Sequence, residues 1–305
     1  MKLAVPDLIT NSYFPAIAAA ELGFFRAEGL DIQVELIAPT GRTYEALRNG
    51  DADFVVAEAH AALSAFPEWQ GMKLLCALSQ GMYWFLVMRT DIAGERGDLS
   101  VVRGRRIAAA PWVELGLRRL LREVGIDPER DVHIAPLEGS LGPKVNIGVT
   151  AAKALAERRI DGFWANGMGA ELAVANGAGK IVLDVRRGEG PKAAFGYTLP
   201  SLAASDRLIA EYPQAAAGAV RAIVATLKAL RKDPALATEV GKKVFPSAEA
   251  DLIAELVRRD LPYYDARLAP EFIRSMNSFA RDVGILKSDP PYDQVVAVSL
   301  APLWS

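Results

Sequence analysis

Short strand-like segments alternate with helix-like segments through about the first 80 residues, and the same alternation begins again near residue 105. Asp31–Ile37 alternates polar and apolar residues with period two, as a strand with one solvated face does. In the second stretch, apolar residues recur with helical spacing at Leu117, Leu120, Leu121 and Val124. Strands and helices that alternate in this way predict mostly parallel sheets, so we expect an α/β protein with two doubly wound lobes.

The two predicted lobes contain similar series of elements. The predicted strands cover 2–5, 31–37, 53–57, 72–78, 105–110, 131–137, 161–165 and 180–186. The segments between them are patterned as helices, for example 41–49, which ends at Gly50, and 59–66. Residues 46–54 and 154–163 are also alike, since in both a helix ends in a polar turn before a buried strand.

Beyond about Ser205 the chain is helical in pattern. An apolar stripe runs through 216–230, and further helices are predicted at 234–244, 248–259 and 270–284. Because such a tail has no sheet of its own, we expect this helical C-terminal segment to pack on lobe 1.

A tail that returns to lobe 1 makes the chain cross between the lobes twice. We place these crossings at two apolar, strand-like segments, Trp84–Met88 and Phe195–Leu199, which we interpret as hinge strands. Lobe 1 then consists of residues 1–86 plus 199–305, and lobe 2 of residues 87–198.

The composition excludes several classes of protein. The chain carries 35 Lys and Arg against 37 Asp and Glu, a net charge of -2, so no basic excess is available to hold nucleic acid. No apolar run approaches the ~20 residues that a membrane-spanning helix needs. Cys76 is the single cysteine, which excludes an intrachain disulfide, and its apolar surroundings are typical of a buried small residue. We expect a monomer without metal or cofactor.

The first residues, Met1–Val5, read as a strand and lack the apolar core and small-residue cleavage site of a signal peptide. Two interpretations follow. Either the chain is a trimmed mature form that is periplasmic or lipid-anchored outside the cytoplasm, or it is cytoplasmic and Met1 is its native start.

Four stretches resemble the family of periplasmic substrate-binding proteins that serve ABC importers for sulfonates, nitrate, taurine and thiamine-precursor pyrimidines. They are 18–34, with Leu22-Gly-Phe-Phe and Glu28-Gly-Leu, then 45–54, 124–132 and 154–164. The resemblance implies a type II periplasmic-binding-protein-like fold, with two α/β lobes joined by two hinge strands and a ligand in the cleft between them. It also implies the membrane permease of an ABC importer as partner. It leaves the ligand open, because members differ most in the loops that touch it.

Ligands of open α/β sheets bind beyond the carboxyl ends of the strands, which selects particular loops. The candidates in lobe 1 are Asn11, Tyr13, Gly41, Arg42, Thr43, Glu58 and His60. Arg42 is the best anion candidate because a guanidinium can grip a carboxylate or sulfonate with two hydrogen bonds, although a solvated arginine at a helix start fits equally. Glu58 and His60 point apart if their segment is helical, so we do not expect an acid-base pair.

The candidates in lobe 2 are Trp112, Glu114, Trp164 and Asn166, and three further candidates, Tyr83, Trp84 and Tyr197, lie near the crossings. Trp112 suits stacking on a flat ligand, and the Asn166 amide can donate and accept hydrogen bonds at once. Core packing is the alternative for the aromatic residues. Arg42 and Lys144 stand against Glu58 and Glu114, so charge alone does not choose between an anion and a neutral ring compound; the aromatic residues favour a planar solute.

Enzyme motifs are missing from the sequence. It contains no H-E-x-x-H, C-x-x-C or G-x-S-x-G motif, and its glycine-rich segments lack the P-loop and dinucleotide-binding spacings. We therefore expect capture of a small-molecule solute, with no catalytic residue. Two alternatives stay open. One is a cytoplasmic enzyme on the same two-lobed scaffold, of the menaquinone-pathway or pyrimidine-forming type, and the other is the effector-sensing half of a transcription regulator.

Overall fold

In the computed structural model, which describes residues 1–142 and 145–305, the chain divides into two units. Unit 1 contains Met1–Gln80 and Thr198–Ser305, and unit 2 contains Gly81–Tyr197. The chain thus leaves unit 1 after residue 80 and returns to it at residue 198. The first passage precedes the expected boundary at residue 86, because Phe85 already pairs with Ala165 and Asp184 in the sheet of unit 2.

Strands and helices are numbered along the chain. The strands are β1 Lys2–Val5, β2 Gln33–Leu36, β3 Phe54–Glu58, β4 Met72–Ala77, β5 Phe85–Arg89, β6 Arg106–Ala109, β7 His133–Ala135, β8 Gly162–Ala165, β9 Gly179–Asp184 and β10 Pro200–Ser205. The α-helices are α1 Phe14–Glu21, α2 Phe24–Ala27, α3 Thr40–Asn49, α4 Val113–Glu123, α5 Ile147–Ala156, α6 Gly167–Ala175, α7 Asp206–Glu211, α8 Pro213–Lys232, α9 Leu236–Val244, α10 Ser247–Asp260, α11 Pro270–Asp282 and α12 Tyr292–Val295.

The sheet of unit 1 has the order β2-β1-β3-β10-β4. Strands β1, β2 and β3 are parallel, and β10 runs antiparallel between β3 and β4. The three parallel strands therefore end at the same edge of the sheet, where the loops that begin α1 and α3 also lie. This edge carries the lobe 1 candidates.

The sheet of unit 2 repeats this plan with the order β7-β6-β8-β5-β9. Here β6, β7 and β8 are parallel, and β5 is the antiparallel strand between β8 and β9. In each sheet the antiparallel strand is the first one after the chain has passed from the other unit. The predicted fold class, two α/β lobes with flanking helices, is confirmed.

The second predicted crossing, 195–199, contains the return of the chain to unit 1 at Thr198, but this segment is not a strand. Lys192–Gly196 forms a 3-10 helix, and the strand begins only at Pro200. Strand β10 consists of Pro, Ser, Leu and Ala residues that are almost all buried between β3 and β4. It lacks the β-branched and aromatic residues that mark a strand in sequence, which is why its signal was missed. The predicted helix at 59–66 is likewise a shorter 3-10 helix, Ala59–Ser64.

The helical C-terminal segment packs on unit 1, as predicted. Helix α8 contacts α1, α2 and β4, and its apolar stripe is buried at Ala216, Ala219, Val220, Ile223, Val224, Leu227 and Leu230. Each large aliphatic side chain in this stripe contributes about 1.5–3 kcal/mol through burial. The stripe therefore anchors the tail to the lobe that the first three strands build.

No helix in the described part of the chain has both the length and the apolar character that crossing a bilayer requires.

Candidate functional site

The loop between β1 and α1 is buried although its residues are polar. Thr10, Asn11, Ser12 and Tyr13 are all at most 6% exposed. The Ser12 backbone N–H donates to Thr10 Oγ1 at 3.1 Å, and Asn11 Nδ2 donates to Asp260 Oδ2, at the end of α10, at 2.6 Å. The loop is thus held by its own side chains and by the C-terminal segment.

Glu58, the last residue of β3, is fully buried and is the centre of a polar group in unit 1. The phenol of Tyr13, which precedes α1, donates to Glu58 Oε2 at 2.7 Å. The hydroxyl of Thr40, the first residue of α3, donates to the same carboxylate. The phenol of Tyr44 donates to the Glu58 carbonyl oxygen at 3.1 Å. The carboxyl group therefore lies where two helices begin and a strand ends.

Burial raises the pKa of Glu58, and the hydrogen bonds from Tyr13 and Thr40 offset part of this rise. Burial and the nearby Glu58 charge also raise the pKa of Tyr44. Two oxygens in this unit, Glu58 Oε1 and Ser12 Oγ, are buried without a hydrogen-bond partner among the described residues. Each such unpaired group costs about 1–3 kcal/mol.

The start of α3 places Gly41, Arg42 and Thr43 in its first turn. The Thr43 hydroxyl donates to the Ile37 carbonyl at 2.5 Å and so holds the end of β2 against the helix. Arg42 is exposed, and its guanidinium makes no hydrogen bond or ion pair with any described residue. Of these three residues, Arg42 is the one whose side chain is available to an anionic group.

His60 follows Glu58 in the chain but has different neighbours. It is fully buried, its Nδ1 lies 3.0 Å from Thr198 Oγ1, and its ring meets Phe279 edge to face at a centroid distance of 5.4 Å. Glu58 and His60 thus have separate contacts in unit 1.

Three of the aromatic candidates form one buried group in unit 2. Trp84 packs against Tyr83 at 5.1 Å and edge to face against Trp164 at 6.2 Å between ring centroids. The Trp164 indole N–H donates to the Val113 carbonyl at 3.2 Å, and the Arg186 guanidinium lies 5.7 Å from the centre of the Tyr83 ring. All three aromatic residues are at most 3% exposed, which is typical of core packing.

Asn166 and Tyr197 bind to the backbone and side chains of unit 2. Asn166 Oδ1 accepts the backbone N–H groups of Met168 at 3.1 Å and Gly169 at 3.4 Å, which caps α6. The Tyr197 phenol donates to Glu123 Oε1 at 2.6 Å, at the end of α4. Both side chains therefore have a structural role in unit 2.

Trp112 and Glu114 lie at the start of α4. Both are half-buried, and Trp112 has φ 72 and ψ -41, a conformation that is rare and strained for a large side chain. Glu114 is an acid in the first turn of α4, where it favours the helix. Lys144, the other predicted cation, lies outside the described residues.

The structure thus brings Tyr13 and Glu58 together in unit 1, and Tyr83, Trp84 and Trp164 together in unit 2. Sequence reasoning missed Thr40 and Tyr44, which join the Glu58 group. An indication of Thr40 was present in the sequence, because this residue directly precedes the candidates Gly41–Thr43 and the predicted helix 41–49. Nothing in the sequence indicated Asp260, because it lies 249 residues away from Asn11 along the chain.

The described residues show neither a cluster of metal ligands nor an accessible thiol. No three His, Cys, Asp or Glu side chains within 1–142 and 145–305 are grouped as metal ligands. Cys76 is fully buried, and desolvation raises the pKa of its thiol far above the usual range, so it is a poor nucleophile. A cavity of about 500 Å³, lined by Arg48, Phe66 and Arg207 among others, contains none of the candidates.

Comparison with known proteins gives one family and several structures. A family model described as NMT1/THI5 like matches residues 10–237. A search of curated proteins finds no significant match.

Solved structures share the fold at low identity. The nitrate-binding protein NrtA from Synechocystis PCC 6803 is 13% identical, with a TM-score of 0.76 over 99% of this chain and 86% of that one. The alkanesulfonate-binding protein SsuA from Xanthomonas axonopodis pv. citri, bound to MOPS, is 12% identical, with a TM-score of 0.71 over 98% and 96%. The desulfurization enzyme DSZB is 16% identical, with a TM-score of 0.64 over 97% and 96%. The chain thus has the two-lobed fold of periplasmic binding proteins, a fold that enzymes also use.

Proposed function

This chain belongs to the NMT1/THI5-like family, and from that premise we propose that it is the solute-binding component of an ABC importer. It captures a small polar organic molecule, of the sulfonate, aromatic acid or pyrimidine type, and delivers it to a membrane permease. It works outside the cytoplasm, as a monomer and without catalysing a reaction.

The observation that carries this proposal is the polar group around Glu58 at the carboxyl end of β3. Buried polar loops at the carboxyl edge of a parallel sheet are where α/β proteins bind small ligands. Tyr13, Thr40 and Glu58 meet there, and the exposed Arg42 follows in the first turn of α3. The fold shared with nitrate-binding and alkanesulfonate-binding proteins supports the same role.

The alternative is an enzyme on this scaffold, because the desulfurization enzyme DSZB has a similar fold. The described residues give this enzyme alternative little support. Cys76 is buried and inert, and the pairing of His60 with the Thr198 hydroxyl lies wholly in the interior. We infer binding rather than turnover.

The experiment is a thermal-shift screen of the full chain against sulfonates, aromatic acids and pyrimidines, with chemical analysis of each solute afterwards. A ligand present at 100 times its Kd stabilises the folded state by about 2.7 kcal/mol, which is readily seen as a rise in Tm. We expect at least one solute to stabilise the protein and to be recovered unchanged. Consumption of a solute, without stabilisation by any, would establish the enzyme instead.

A matched pair of variants tests Arg42. R42A should weaken a stabilising carboxylate or sulfonate more than tenfold, because it removes a charged two-pronged contact. R48A removes another exposed arginine, at the other end of α3, and should leave the affinity unchanged. Equal affinities for the two variants would remove Arg42 from the site.

A further inference from the structure

The carboxylate of Glu58 is only half satisfied. Its Oε2 atom accepts the Tyr13 phenol at 2.7 Å, whereas Oε1 is buried and has no hydrogen-bond partner among the described residues. Buried polar atoms in folded proteins are nearly always paired, and an exception calls for a water, an ion or a ligand. Glu58 lies at the ligand-binding edge of the sheet, which favours the ligand.

The surroundings of Glu58 specify what this ligand offers. The groups that contact its side chain are the hydroxyls of Tyr13 and Thr40, and no described Lys or Arg forms an ion pair with it. A buried carboxylate without a cation is costly, and a hydrogen bond from a cationic group is the strongest compensation. The Ser12 hydroxyl, next to Tyr13 in the chain, is also buried, has no hydrogen-bond partner in the described part of the chain and can accept a further hydrogen bond.

An acceptor-only group does not fit beside the ionised carboxylate of Glu58. Sulfonate, nitrate and carboxylate groups have no hydrogen to give to Oε1, and their charge would be repelled by an ionised Glu58. They suit Arg42, which is exposed in the first turn of α3. Glu58 and Arg42 therefore suit different chemical groups of one solute.

We propose that the solute carries an N–H donor, of the amidine or amine type, that binds the free Oε1 oxygen of Glu58. This inference rests on the proposed solute-binding function and adds the chemistry of one end of the solute. Glu58 then acts as a specificity-determining residue, which selects donor-bearing solutes against simple anions.

Three probes with a common benzoate ring test this selection by calorimetry on the full chain: 4-amidinobenzoate, benzoate and terephthalate. All three keep a carboxylate for Arg42 and differ only in the para group. We expect 4-amidinobenzoate to bind at least tenfold tighter than terephthalate, with benzoate between them.

The variant E58Q should abolish this preference, because its neutral amide no longer holds the amidinium and no longer repels a carboxylate. E45Q, which neutralises an exposed glutamate of α3, is the control and should keep the preference. The comparison of probes on the unchanged protein stands even if E58Q folds poorly, and the Tm of each variant identifies that case.

The outcomes separate the two levels of the proposal. Terephthalate binding as tightly as 4-amidinobenzoate, or a preference that survives in a folded E58Q, overturns the role of Glu58 and leaves solute binding intact. Failure of these probes and of every solute in the wider screen contradicts the solute-binding function itself.

Discussion

The phenol oxygen of Tyr13 lies 2.7 Å from Oε2 of Glu58, and the two residues are brought together from the loop after β1 and the end of β3. Both side chains are buried, so this hydrogen bond fixes the beginning of α1 relative to the sheet. The Oε2 atom of Glu58 is thereby satisfied, whereas Oε1 has no hydrogen-bond partner among the described residues.

Removing the phenol hydroxyl should therefore destabilise the protein. Y13F leaves the Glu58 carboxyl without its 2.7 Å donor, and we expect a loss of about 1–3 kcal/mol in the free energy of unfolding. Urea denaturation measures it. Y212F removes the hydroxyl of an exposed tyrosine and should cost almost nothing. If the two variants were equally stable, the Tyr13–Glu58 bond would not contribute.

The pH dependence of stability should reveal the raised pKa of the Glu58 carboxyl group. Its pKa in the folded protein is raised by burial from the ordinary value of 4.5, so the folded state keeps a proton that the unfolded state has lost. The stability linked to this proton is fully present below about pH 4.5 and is lost as the pH rises through the folded pKa.

Urea midpoints of the wild type and E58Q between pH 4 and pH 8 isolate this contribution, because the other titrating groups are common to both. We expect the wild type to lose stability relative to E58Q as the pH rises. A difference that stays constant, or that grows in favour of the wild type, would show that the pKa of Glu58 is not raised.

Asn166 should matter for stability through its cap on α6. N166A removes the acceptor of the Met168 and Gly169 backbone N–H groups, which should cost about 1 kcal/mol. N49A, at an exposed position in the last turn of α3, is the comparison and should change stability little. An N166A variant as stable as N49A would argue that the cap is replaced by water.

Close packing of α5 on α6 requires Gly169. A Cβ atom at this position would lie 2.6 Å from the Gly148 carbonyl oxygen, which is backbone and has little room to move. We expect G169A to destabilise the protein by about 1–3 kcal/mol. G218A, within α8, meets nothing closer than 3.4 Å and should be neutral or slightly stabilising. Thermal melts of both variants test this contrast.

Much of the fold follows from the sequence because its signals are local. The period-two pattern of Asp31–Ile37, the end of α3 at Gly50 and the apolar stripe of α8 depend on neighbouring residues alone, and each predicted the right element. Strand β10 failed this reasoning because it is a strand through its position between β3 and β4, with small residues that have weak strand preference.

The site was harder to predict than the fold. Strand ends indicated Tyr13 and Glu58 separately, but their hydrogen bond depends on the strand order, which places β1 beside β3. Asn166 was chosen for its hydrogen-bonding capacity, which α6 uses for its cap. The role of each candidate in binding remains a prediction.

Equilibrium dialysis of the full chain against the most stabilising solute tests the central claim most directly, since it measures bound solute and total solute together. The account predicts one molecule bound per chain and complete recovery of the unchanged solute. No excess of solute on the protein side, together with its steady conversion to a product, would contradict it.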